Sequence, residues 1–194
     1  MKQEQSFTEK QMSIRALLLS CCFGLVALSV RHDASGVVTP QQSAADSPGQ
    51  LQKQIEPFSP FTGKWSCDGI FPKSGKPIAS QIVFAPDLEG AWLTVRHDDM
   101  PPDRFHALEL WGFDSAAKNF VAFIYDNFGG VRKFTSVGLS GDQLIWKGES
   151  TRADPPTTER FVFKLKNASQ FVVNYEVQRG SADWTIGDTL TCKK

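Results

Sequence analysis

Histidine is scarce in this 194-residue chain: there are three, and His32 lies in an N-terminal stretch unlike the rest, which leaves His97 and His106 for a folded domain. Two imidazoles cannot build a His-rich metal site. An excess of charge of either sign is missing too, since 21 Lys and Arg face 21 Asp and Glu. Without such a field nothing steers the chain onto nucleic acid or an anionic membrane surface. The loops that carry common enzyme chemistry are absent: no Gly-x-Ser-x-Gly elbow, phosphate loop, His-Glu-x-x-His or dinucleotide fingerprint occurs. No cofactor is therefore expected. No segment after residue 57 has the length and periodicity of a crossover helix, so parallel βαβ units are not expected either.

The longest apolar run, Ala16 to Val30, follows Arg15 and precedes Arg31, His32 and Asp33. Its 15 residues fall short of the roughly 20 needed to span a bilayer, so residues 1–35 read as a signal peptide, with an uncleaved anchor as the alternative. Met12 is a second possible start, giving Met12-Ser-Ile-Arg15 as a compact charged region before the run. Cys21 and Cys22 raise a lipoprotein reading, but further mostly apolar residues follow Leu18-Leu19-Ser20-Cys21, which makes it the lesser one. A periplasmic or secreted location follows, with no integral membrane association after leader removal. Outside the leader two cysteines remain, Cys67 and Cys192. In an oxidising compartment such a pair reads as a disulfide, the alternative being two unpaired buried thiols.

Residues 36–57 are rich in Gln, Ser, Ala, Pro and Gly and read as a flexible linker, in which Leu51 to Ile55 could form a helical turn. From Phe58 to Lys194 short apolar or alternating runs are punctuated by Gly, Pro, Asp and Asn. The pattern predicts ten strands, at 63–71, 77–86, 91–98, 104–113, 119–126, 131–140, 143–150, 158–166, 170–178 and 183–193. Lys73-Ser-Gly75, Asn127-Phe-Gly-Gly130 and Ser140-Gly-Asp142 are among the hairpin turns joining them. Phe161, Phe163 and Leu165 share one face, as do Phe171, Val173, Tyr175 and Val177, while Trp184, Ile186, Leu190 and Cys192 are expected inward on the last strand. Cys67 shares parity with Trp65 on the first strand. A disulfide joining first and last strands implies a meander whose ends meet: an all-β, closed antiparallel up-and-down barrel. A two-sheet sandwich is the alternative.

Phe61-Thr-Gly63-Lys-Trp65 resembles the Gly-x-Trp signature that opens calycin barrels, the superfamily of lipocalins and fatty-acid-binding proteins. With Phe58 and Phe61 before it, Leu88-Glu-Gly90-Ala-Trp92-Leu93 and Trp111-Gly-Phe-Asp114 after it, and a Cys-bearing last strand, residues 58–194 resemble the bacterial barrels of domain-of-unknown-function family 1579. The resemblance implies a lipocalin-like barrel of unassigned function. Phe71 to Pro77 is too short for the helical lid of fatty-acid-binding proteins. Nitrobindin-like barrels, also similar, bind haem through a C-terminal histidine, and this chain has none beyond His106.

Candidate lumen residues follow from alternation. Trp65 is expected to plug the closed end, and Trp92, Trp111, Trp146 and Trp184 are either cavity wall or core filling. If Ala91, Leu93 and Val95 face inward, so does His97, unless it sits solvated beside Asp98 and Asp99. If Phe105, Ala107, Trp111 and Phe113 face inward, so does Glu109, and the opposite parity would instead put His106 inside. An inward carboxylate needs a partner or a raised pKa. Tyr125, Arg132 and Tyr175 are the possible partners. The preferred expectation is a barrel holding a small hydrophobic ligand in its lumen. Alternatives are a barrel enzyme using His97 or Glu109 as general base, and a filled barrel acting through its surface.

Overall fold

The computed structural model describes residues 48–150 and 156–194, so the expected leader at 1–35 and the segment 36–47 lie outside the described residues. Period-two alternation needs a partner on each side of every strand, and the chain meets that need by wrapping one sheet on itself. In chain order the strands are β1 Gly63–Phe71, β2 Lys76–Asp87, β3 Trp92–Asp99, β4 His106–Asp114, β5 Asn119–Asp126, β6 Val131–Ser136, β7 Leu139–Ser140, β8 Gln143–Ser150, β9 Thr157–Asn167, β10 Gln170–Arg179 and β11 Thr185–Lys193. Neighbours in sequence pair antiparallel from β1 to β6 and from β7 to β11. The two runs join where β1 pairs with β11, and β6 closes the circle against β8. Ten long strands thus form the closed antiparallel barrel, with β7 as a short extra strand.

At the first junction Cys67 lies directly opposite Cys192, and the two are joined by a disulfide spanning 125 residues of sequence. Among the described residues the β6–β8 closure is thinner, pairing Phe134↔Gly148 and Thr135↔Lys147, whereas β1 and β2 pair from Gly63↔Phe84 to Phe71↔Lys76. Gly148 permits this approach, since a Cβ there would lie 2.5 Å from the Lys133 carbonyl oxygen.

One end of the barrel is plugged from within. Helix α1 (Pro48–Ile55) and a 3-10 segment over Glu56–Phe61 precede β1. Ile55 is buried in the main core, so the last part of the segment expected as a linker belongs to the folded unit. Pro57 and Pro60 favour the tight turn, and side chains three apart eclipse in a 3-10 helix. Phe58 and Phe61 therefore share one side and enter the barrel together. Phe58 packs on Trp111, Phe120 and Trp146, and Phe61 on Phe84, Phe163 and Phe171. Trp65 ties the plug to β1, its indole Nε1 donating to the Phe61 carbonyl at 2.5 Å.

Two expected strands differ. The span 131–140 breaks after Ser136, because Gly138 takes a positive φ of 99° with the Phe120 ring against it, leaving no room for a side chain. The last strand starts at Thr185 rather than residue 183, and a bulge opposite Tyr175 and Glu176 puts Asp188 against Tyr175 and Ile186 against Glu176. Gly187 lies close against the Tyr175 ring at that bulge. The slip reverses the parity of the strand's first residues. Ile186, expected inward, is 39% exposed, and Trp184, also expected inward, stacks on the Arg160 guanidinium at 4.0 Å, on the face opposite Phe161.

If the β1–β11 junction holds the circle shut, replacing Cys67 and Cys192 together by Ala should lower the unfolding free energy by about 2–5 kcal/mol. Urea denaturation of the double variant measures this, and an unchanged midpoint would show that strand pairing alone keeps the ends together.

A polarised lumenal cavity as candidate functional site

The plug does not fill the barrel. Beyond it lies a cavity of about 260 Å³ whose wall is mainly apolar: Ile82, Phe84, Val95, Trp111, Ala122, Ile124, Trp146, Phe161, Phe163, Val173 and Leu190 contribute. Every strand from β2 to β6 and from β8 to β11 supplies lining residues, and each does so at alternate positions, as a closed sheet requires. The polar side chains of the lining, His97, Asp99, Glu109, Arg132, Tyr175 and Asp188, come from the strand ends remote from the plug. The lumen is aromatic at one end and ionisable at the other.

His97 follows Val95 inward, as one reading of the sequence requires. Its Nε2 lies 3.1 Å from Asp99 Oδ1, and its ring stands edge-on to Phe105. Asp99 also accepts from Ser80 Oγ at 2.6 Å. Glu109 faces inward with Ala107 and Trp111, and its Oε2 accepts from Trp111 Nε1 at 2.7 Å. The surface that Glu109 retains faces the lumen, not bulk water. Burial accordingly pushes its carboxyl above the usual range, against the pull of the Trp111 hydrogen bond and of His97 and Arg132. His106 takes the outer face, where its Nδ1 lies 2.8 Å from Asp98 Oδ1, and that residue is also bound by Arg96.

Arg132 enters from β6 and is matched by acids behind it. Its Nη1 lies 3.2 Å from Glu159 Oε2, and its Nη2 lies 3.8 Å from Asp126 Oδ2. Burial raises the Tyr175 phenol, and the adjacent Glu159 carboxylate, to which it hydrogen-bonds, raises it further. Tyr175 is therefore a neutral donor at any ordinary pH. Asp188 sits among the lining groups with its carboxyl pushed up to about 6 by burial and by Asp99, with His97 pulling the other way.

Of the residues that alternation nominated, His97, Glu109, Trp111, Arg132, Tyr175 and Trp146 line one cavity. Four do not. Trp65 lies beneath the plug against Phe171. Trp92 lies flat over Gly112 on the outer face, where a Cβ on Gly112 would come within 2.4 Å of its ring. Tyr125 is 44% exposed, because Ala122 and Ile124 take the inward parity of β5. Trp184 covers Arg160 outside. Four acids were not nominated: Asp99 and Asp188 in the lining, and Glu159 and Asp126 behind Arg132. Asp99 shares parity with His97, Glu159 with Phe161 and Asp188 with Leu190 and Cys192, so these three carried a usable signal. Among the described residues no group of His, Cys, Asp or Glu is placed to hold a metal ion, and no helix is long and apolar enough to cross a membrane.

The fold and lumen define a closed β-barrel with an internal cavity. No family model matches the chain, and no curated protein does. Among solved structures, a redesigned β-barrel is similar to it, with 14% identity and a TM-score of 0.33, covering 70% of this chain and 92% of that one.

Asp188 supplies a test of this burial. The folded state holds its proton more tightly than the unfolded chain, where the group titrates near 3.8. Below about pH 4 both states are protonated and burial costs nothing; the penalty grows as pH rises and is complete above about pH 6, on the order of 3 kcal/mol at most. Asp188→Asn should therefore stabilise the protein at pH 7.5 and lose that advantage below about pH 4, as urea melts across this range would show.

Proposed function

We propose that this chain is an exported binding protein that holds one small, mainly apolar molecule in its barrel lumen. The observation that carries the reading is the lumenal cavity of about 260 Å³ walled mainly by aromatic and aliphatic side chains. Protein interiors normally close such space, because each unfilled volume forfeits dispersion contacts. A dry engineered cavity of about 150 Å³ already admits benzene. This lumen accordingly suits a single ring with a short substituent rather than a long acyl chain. Export is supported by the leader pattern in the sequence and by the Cys67–Cys192 bond, which suits an oxidising compartment. The resemblance to the family 1579 barrels belongs to the same proposal and adds no ligand to it.

A second reading has its own observation. His97 and Glu109 open onto the same cavity, and Glu109 is held toward its protonated form by burial. That is the arrangement a general acid or base acting on a bound substrate needs. Glu109→Gln separates the two readings, since a binding protein keeps its whole function without that proton.

Neutral indole and naphthalene should raise the melting temperature of the full chain in a saturable way, because a ligand of the native state stabilises it by mass action. Ala122→Phe, which fills the lumen from a buried wall position, should abolish the shift. A shift that survives Ala122→Phe, or none in the parent protein, would count against a lumenal site.

A further inference from the structure

The lumen carries an electrostatic bias that its apolar wall does not explain. Three carboxyl groups line it, Asp99, Asp188 and a Glu109 that burial holds toward its neutral form, against the two bases His97 and Arg132. Arg132 is matched from behind by Glu159 and Asp126, so its charge is balanced within the protein, although its buried Nε finds no acceptor. His97 faces Asp99. Asp188 enters no hydrogen bond or ion pair among the described residues, and its electrostatic neighbours are His97, the like-charged Asp99 and the Tyr175 phenol that lies opposite it. A buried carboxylate left in this state is costly unless something positive joins it. At the other end of the cavity the complement is inverted. Trp146 is 1% exposed, borders the cavity and packs against the plug residue Phe58, and its Nε1 hydrogen has no acceptor. A buried donor without a partner calls for an acceptor.

We infer that the lumenal ligand is a compact arylalkylamine bound as its ammonium ion, its charged head beside Asp188 and Asp99 and a hydrogen-bond acceptor at its far end meeting the Trp146 indole N–H. This rests on the lumen being a ligand site. Phe105, Trp111 and Phe161 stand in the same lining, and aromatic faces attract a cation once water is excluded. A carboxylate ligand, by contrast, would bring a second negative charge to the acids and leave Asp188 uncompensated.

Four probes that share one ring isolate the two contacts: tyramine, phenethylamine, 4-ethylphenol and 3-(4-hydroxyphenyl)propionate, each titrated calorimetrically into the full chain at pH 7.5. Tyramine should bind at least about tenfold more tightly than 4-ethylphenol and than the carboxylate, as a desolvated ion pair with aromatic walls provides. Asp188→Asn should bring tyramine down to the level of 4-ethylphenol while the variant itself becomes more stable, a combination that loss of folding cannot produce. Trp146→Phe should weaken tyramine but not phenethylamine, which has no oxygen to accept the hydrogen bond. Equal or tighter binding of 4-ethylphenol or of the carboxylate would overturn the amine assignment and leave the lumenal site standing. Failure of all four probes would also overturn it, and the indole and naphthalene shifts with Ala122→Phe would then tell whether the cavity binds anything.

Discussion

The antiparallel junction of β1 with β11, pinned where Cys67 meets Cys192, is the constraint from which the rest of the molecule follows. Joining the ends of a meander leaves no free edge there and gives each strand an inside and an outside. After that, parity decides chemistry. His97 and Glu109 are lumenal because Val95 and Ala107 are, and His106 is on the surface for the same reason. No local preference of a histidine or a glutamate would have sorted them this way.

The interior that results is filled from one end and unfinished at the other. Phe58 and Phe61, brought into register by a proline-rich turn, bury their rings among Trp111, Trp146 and Phe163, where shape alone must satisfy them. At the remote strand ends the chain spends buried surface on ionisable groups, some paired and one not. Such a distribution runs against stability, since apolar replacements of similar volume would pack without a desolvation cost. Sites that break the rules of a good core in this manner are where function is retained at the expense of folding.

Much of this was legible beforehand, and what was not has specific causes. Strand grammar and the two cysteines were enough for a closed barrel, because turns and alternation are local and a disulfide is a distance constraint. Alternation also set Tyr175 inward and allowed His97 and Glu109 an inward place, leaving His106 as the alternative to Glu109, while Arg132 was named as a partner for an inward carboxylate. Trp92 and Tyr125 were named for their residue type and not for their parity, and a large aromatic shields the outside of a barrel as readily as it fills the inside. A bulge misled the reading of Trp184 and Ile186, because a single extra residue inverts every position beyond it, whereas Asp188, on the Leu190 side of the bulge, keeps the inward parity and was passed over. The plug was read in part: Phe58 and Phe61 fell within the expected domain, but Glu56 and Pro57 fell in the expected linker, and a short turn with two prolines shows no inward side until a barrel exists for the two rings to enter.

The circle is fastened unequally. Opposite the covalently bonded junction, the pairs that β6 and β8 share among the described residues are Phe134↔Gly148 and Thr135↔Lys147. Local opening begins where cross-strand bonding is sparsest. Cavity residues flank that line on both sides, Arg132 on β6 and Trp146 on β8. Parting these two strands would uncover the interior through its flank while the plugged floor stayed closed.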